Sequence, residues 1–117
     1  MHPIFHITQQ TEWDLAKKAG RYEAESLAAE GFIHCSTHEQ VVKVANFLFK
    51  DQTGLILLVI DSGKIEHDIR YENLNGGEDL VPHIYGVLNT DAVVDVFDFH
   101  PMPDGDFKLP SALSGIN

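Results

Sequence analysis

Six consecutive apolar residues, Leu55 to Ile60, constrain this chain more than any other stretch. A strand with no polar side to turn to water is a central strand covered on both faces. Directly after it, Ser62-Gly63 is a tight-turn signal, and Lys64 to Glu72 alternates almost perfectly. Ile65, His67, Ile69 and Tyr71 share one face, and Lys64, Glu66, Asp68, Arg70 and Glu72 the other. The spacing predicts an antiparallel hairpin whose second strand has one wet face.

The remaining elements read in order. Ile4 to Thr8 is a strand, with Ile4, His6 and Thr8 on one face. Thr11 is the predicted N-cap of a helix running to Ala19, stopped by Gly20, with Trp13 and Ala16 on its buried stripe. Arg21 to Glu30 has helix-favouring Glu and Ala but a weak pattern. Phe32 to Cys35 is a short strand. Ser36-Thr37 is predicted to open a second helix, with overlapping capping boxes Ser36/Glu39 and Thr37/Gln40. Val41, Val44, Ala45 and Leu48 give that helix an apolar stripe. Residues 73–79 form a polar, Gly-rich loop. Leu80 to Leu88 is a strand with His83 and Tyr85 on one face, Thr90 caps a single turn, and Val93 to Phe99 is the last strand. Helices crowd into the first half and an antiparallel pair is implied, so the class is α+β rather than a doubly wound parallel sheet. Residues 1–100 are expected to form a single α+β domain, and 101–117, with three prolines, a mostly irregular tail.

Composition narrows the partners. At 117 residues the chain is one domain that needs no metal, disulfide or cofactor to fold. Its formal net charge of −10 repels phosphate backbones, and the longest basic element is the pair Lys17-Lys18. A large nucleic acid is therefore an unexpected partner. The single cysteine, Cys35, forms no internal disulfide, the N-terminal residues lack the pattern of a signal peptide, and no apolar run reaches the ~20 residues of a membrane span. A cytoplasmic location without a membrane partner is expected; the oligomeric state is not written in these features.

Three histidines lie inside predicted strands: His6 in Phe5-His6-Ile7, His34 in Ile33-His34-Cys35, and His83 in Pro82-His83-Ile84. Imidazole donates, accepts, titrates near neutrality or binds metal, and a strand is a rigid support for a preorganised site. The plain alternative is a separate core or surface histidine in each place, with one hydrogen bond apiece. His2, His38, His67 and His100 read as structural or exposed. Cys35 alternates with His34 and reads as buried filler. Ser36 and Thr37 are helix caps that could also face an anion or carbonyl. Gly76-Gly77 lacks the lysine and the strand-to-helix setting of a phosphate loop.

Gly31-Phe32-Ile33-His34-Cys35-Ser36, the Gln40-Val41…Ala45-Asn46 helix, Arg70-Tyr71-Glu72 and Val81-Pro82-His83-Ile84-Tyr85-Gly86 together resemble the bacterial family called domain of unknown function 952. The resemblance spans Pro3 to Phe97, and Ile4-Phe5-His6-Ile7 and the Trp13 helix fit it. The resemblance implies a split, mixed or antiparallel β-sheet with two main helices, like that of ADP-ribosyltransferases and RNA 2′-phosphotransferases. It implies NAD or an ADP-ribosylated intermediate as ligand, His6 on a ribose hydroxyl and His34 against nicotinamide. The third-strand position, often glutamate, falls on the segment holding His83 and Tyr85, where no glutamate stands. Glu72 could substitute, though the sequence does not place it there.

Three readings follow. The first is a transferase for an NAD- or ADP-ribose-type nucleotide, with His6, His34, His83 and Tyr85 as catalytic residues around one cleft and Ser36, Arg70 and Glu72 as ligand-binding residues. The second is a non-catalytic binding or interaction module on the same fold, and the third a metal-dependent enzyme using the same histidines.

Overall fold

The computed structural model describes residues 2–73 and 79–113. Strand β1 spans Pro3–Gln9, α1 Gln10–Ala19, β2 Arg21–Tyr22, α2 Glu25–Glu30, β3 Ile33–His34, α3 Val41–Leu48 and β4 Leu55–Asp61. Four strands follow: β5 Asp68–Glu72, β6 Val81–Tyr85, β7 Leu88–Asn89 and β8 Val93–Asp98. The class is α+β; among the described residues there are three α-helices, and every strand pairing is antiparallel.

The apolar run occupies the place its composition demands. β4 lies between β1 and β8. On one side Ile56, Leu58 and Ile60 join Ile4, Trp13 and Ile84; on the other, Leu55, Leu57 and Val59 join Phe5, Val41 and Phe107. The second sheet has the order β3-β6-β5 and meets the first at one bridge, where Phe5 and Ser36 exchange backbone hydrogen bonds of 2.8 Å. Ile33, Cys35 and Ile84 face the shared core, which leaves the alternate residues of those strands on the opposite face.

Three local expectations are corrected. The segment after Ser62-Gly63 does not fold back on β4. Asp61 accepts the N–H of Gly63, a 3-10 turn covers Ser62–Lys64, and the next strand starts only at Asp68 and pairs with β6. The reason is occupancy: a strand has two edges, and those of β4 are held by β1 and β8. Thr11 is not a cap, because α1 begins at Gln10, whose N–H is satisfied by the carbonyl of Gly54 at 2.9 Å. Ser36 opens no helix either. It is held in the bridge to Phe5, and α3 begins at Val41. Half of the Thr37/Gln40 box survives, as the Thr37 N–H donates to Gln40 Oε1 at 3.1 Å. The weak Arg21 to Glu30 pattern resolves into β2 and α2, and the expected Leu80 to Leu88 strand divides into β6 and β7. At the break, Gly86 has φ +157° and a Cβ there would lie 2.3 Å from the His67 ring, so only glycine fits. Gly76-Gly77 lies outside the described residues.

Past Pro101 the described chain has no strand and a single 3-10 turn, Ser111–Leu113, yet it completes the second core. Phe107 stacks on Phe99 with ring centroids 4.8 Å apart, Leu113 is buried, and the Leu113 carbonyl accepts from His38 Nε2 at 2.8 Å. No helix among the described residues is long and apolar enough to cross a membrane.

Candidate functional site

The outer face of the β3-β6-β5 sheet carries the densest polar chemistry. Register sets His34 opposite His83, and His83 opposite Arg70, so one residue from each strand lies in a single transverse row. Tyr85 and Glu72 lie on the same face by alternation. The His34 and His83 rings meet edge to face with centroids 5.2 Å apart. The Arg70 guanidinium lies 4.4 Å from the centroid of the Tyr85 ring.

Glu72 organises this face. Its Oε1 accepts from Tyr85 Oη at 2.6 Å and from His83 Nδ1 at 2.9 Å. The hydroxyl of Tyr85, and then the His83 ring, hold the Glu72 carboxyl below its ordinary value, while the carboxylate pushes the Tyr85 phenol up. A carboxylate accepts only, so the His83 proton bonded to it is on Nδ1. In the neutral ring, Nε2 is then a lone pair able to take a proton. His34 has its own carboxylate, Glu30, with Nε2 to Oε2 at 2.6 Å. Both of those side chains are about half exposed (51% and 50%). Two carboxylate–imidazole pairs thus stand side by side.

Phe32 closes the arrangement. Its ring stacks on His83 at 4.3 Å, meets the edge of His34 at 4.9 Å, and lies 5.3 Å from Tyr85. His83 is consequently buried, at 4% exposure, whereas His34 is open. Phe32 stands two residues before His34, and strand alternation was a signal that could have found it. Glu30 carries no such signal, because the end of α2 separates it from His34.

Five of the seven residues expected at one cleft therefore share this face: His34, His83, Tyr85, Arg70 and Glu72. His6 and Ser36 do not. Ser36 is buried at the bridge. His6, on β1, reaches β3 from its backbone side, with Nδ1 against the carbonyl oxygen of His34 and Nε2 2.8 Å from the Tyr22 hydroxyl. Burial pulls its pKa down to about 4 and pushes that of Tyr22 up to about 12. The Cys35 thiol is likewise pushed up by burial, which keeps it protonated and inert as a nucleophile. With both His6 nitrogens engaged, the three strand histidines do not turn to one centre. Among the described residues no three His, Cys, Asp or Glu side chains are grouped as a metal ion would need.

Beside His6 lies an open hollow of about 230 Å³, lined by His6, Thr8, Glu12, Tyr22, Glu25 and Phe49 among others. It is on the β1 side, and none of the five residues of the β3-β6-β5 face lines it.

The model of the family described as protein of unknown function, DUF952, matches residues 7–96. The chain is also similar to protein CC0527 from Caulobacter crescentus. The X-ray structure of that protein aligns with a TM-score of 0.83 at 34% sequence identity, covering 92% of this chain and 94% of that one. Its solution NMR structure aligns with a TM-score of 0.84 at 34% identity, covering 97% and 98%. No curated protein matches the chain. By the span of the family match, and by the residues that carry it, this chain belongs to the DUF952 family.

Proposed function

We propose that the outer face of the β3-β6-β5 sheet binds a nucleotide of the NAD or ADP-ribose type and carries out group transfer on it. The observation that carries this reading is the position of Glu72. A transferase that builds positive charge on a ribose carbon needs a fixed carboxylate near it, and β6 itself supplies none. Glu72, from the neighbouring strand, holds its carboxylate against His83 and Tyr85. In this reading Glu72 stabilises the developing charge, His83 Nε2 takes the proton of the acceptor, Arg70 faces the phosphates, and half-exposed His34 meets the base. The antiparallel sheets joined at one bridge support an ADP-ribosyltransferase-like architecture.

The test is calorimetric titration with NAD, ADP-ribose and nicotinamide, alongside amide and imidazole NMR shifts. Binding that moves His34, His83 and Tyr85 is expected, with Glu72→Gln still binding but no longer releasing nicotinamide from NAD. The absence of heat up to millimolar ligand overturns the proposal, as does binding whose shifts fall elsewhere.

One contact favours the second reading, a binding module without catalysis. Phe32 covers His83, in a place where a ligand ring would stack. Nucleotide binding with no release of nicotinamide from NAD would decide for the module.

A further inference from the structure

Four polar contacts run in line beneath the site. His6 Nδ1 meets the His34 carbonyl at 2.5 Å, and His6 Nε2 meets Tyr22 Oη at 2.8 Å. Tyr22 Oη meets Thr8 Oγ1 at 2.9 Å, and Thr8 Oγ1 meets Glu12 Oε2 at 2.8 Å. Each contact needs one proton between its two atoms. A neutral imidazole brings one, each hydroxyl brings one, and a carboxylate and a backbone carbonyl bring none. Three protons are present for four contacts.

We infer that the row His6–Tyr22–Thr8–Glu12 holds one proton more than those three, shared between the buried ring and the carboxylate at the hollow. In one form the ring is doubly protonated and donates to both the His34 carbonyl and Tyr22; Tyr22 donates to Thr8, and Thr8 to an ionised Glu12. In the other, the carboxyl donates to Thr8, Thr8 to Tyr22, and Tyr22 to Nε2 of a neutral ring. The forms interconvert when three protons each move one step: Nε2–H to Tyr22, the Tyr22 proton to Thr8, the Thr8 proton to Glu12. None is gained or lost, and Nδ1–H stays on the His34 carbonyl throughout. Without the added proton one of the four links must open.

The surroundings suit a shared proton. Thr8 and Tyr22 are buried, and β4 presents only Ile56 and Leu58 opposite Thr8 and His6. The titratable and charged groups facing the row are Glu12 from α1, Arg21 and Glu23 from β2 and the residue after it, Glu25 from the start of α2, and His34 and Cys35 from the β3 side. No lysine or arginine lines this hollow; Arg21, which shares a second hollow with Glu12 and Tyr22, lies 4.0 Å from the carboxylate of Glu23. The inference does not depend on the proposed nucleotide, because its readout needs no ligand.

Proton linkage gives the test. A histidine that is merely buried neutral, with its pKa lowered from 6.5 to about 4, leaves the unfolded chain binding one proton more than the folded chain between those values. Stability then falls as the pH falls through that window. A row that already carries a proton binds as many as its unfolded residues do between about 4.3 and 6.5, so that slope vanishes. Urea unfolding of the full chain across pH 4.5–6 (about the window set by the free residues) compares wild type with Thr8→Val, which severs the row. It also includes Glu12→Gln, whose amide can complete the row without an added proton and which alters only an exposed side chain. Each variant is expected to differ from wild type by about one proton in the linkage slope. Parallel profiles for wild type and Glu12→Gln overturn the inference. A second readout uses the ring nitrogen shifts of His6 and the carboxyl shift of Glu12 at pH about 6. A protonated carboxyl or a doubly protonated ring is expected, and a neutral ring beside an ionised carboxylate overturns it.

Discussion

The molecule builds two clusters from the same three residue types. One is His6, Tyr22 and Glu12, linked through Thr8 along β1; the other is His83, Tyr85 and Glu72 on the open sheet face. In the first the tyrosine lies between imidazole and carboxylate, and desolvation sets the chemistry of ring and phenol. In the second the carboxylate lies in the middle, and direct hydrogen bonds set it. Side-chain identity alone thus decides little. Burial suppresses charge in the first cluster, whereas a central acceptor keeps charge in place in the second, where a ligand can meet it.

The contrast is broken most forcefully by truncating the two tyrosines. Tyr22→Ala removes a buried aromatic ring and leaves its polar neighbours unpaired, so urea denaturation is expected to read a loss of about 3–5 kcal/mol. Tyr85→Ala is expected to cost a small fraction of that. Equal losses would show that the open face is as much a part of the core as β2.

The pH dependence separates the clusters next, because only the open face has an acid limb set by a lowered carboxyl. Tyr22 has a pKa raised from 10.0 to about 12 in the folded chain. The unfolded chain ionises first, so its contribution is complete below pH ~10 and is lost as the pH climbs toward 12. Tyr22→Phe should remove that alkaline slope. Glu72 is lowered in the folded chain. Its contribution is present above the ordinary carboxyl value of ~4.3 and is lost as the pH falls through the lower folded value. Glu72→Gln should remove that acid slope, together with the part of the alkaline limb that Tyr85 contributes through the same carboxylate. Stability followed by urea midpoint against pH checks both.

The open face was more legible in the sequence than the buried row, and alternation is the reason. His34, His83, Tyr85, Arg70 and Glu72 each lie in a strand segment, where period two fixes the face once one residue is placed. The pairings of β3 and β5 with β6 were hidden, the second because the Ser62-Gly63 signal pointed to β4 and sequence does not record that both edges of β4 are taken. The row around His6 depends on Tyr22 and Glu12, which come from a two-residue strand and an exposed helical turn. Neither is marked by strand alternation: Glu12 reaches Thr8 through the turn from β1 into α1, and only tertiary packing brings Tyr22 to β1. Convergence of His6 with His34 failed for a similar reason. The two do meet, but through a backbone carbonyl, a partner that no pattern of side chains announces.

The smallest expected effect is the most useful for separating stability from function. His34 is paired with Glu30, and both side chains are about half exposed. An exposed ion pair contributes between ~0 and 1 kcal/mol, and substitutions on such a surface usually stay within about 0.5 kcal/mol. His34→Ala is therefore expected to leave the urea midpoint nearly unchanged. The hydrogen bond from His6 reaches the backbone of residue 34 and survives the substitution. Nucleotide affinity, if His34 meets the base, should fall in the same variant. A variant that folds like wild type but no longer binds would assign His34 to the ligand. A large loss of stability would mean that the ring, and not only the carbonyl, holds β3 in place, and the division between a buried support and an open working face would have to be redrawn at this residue.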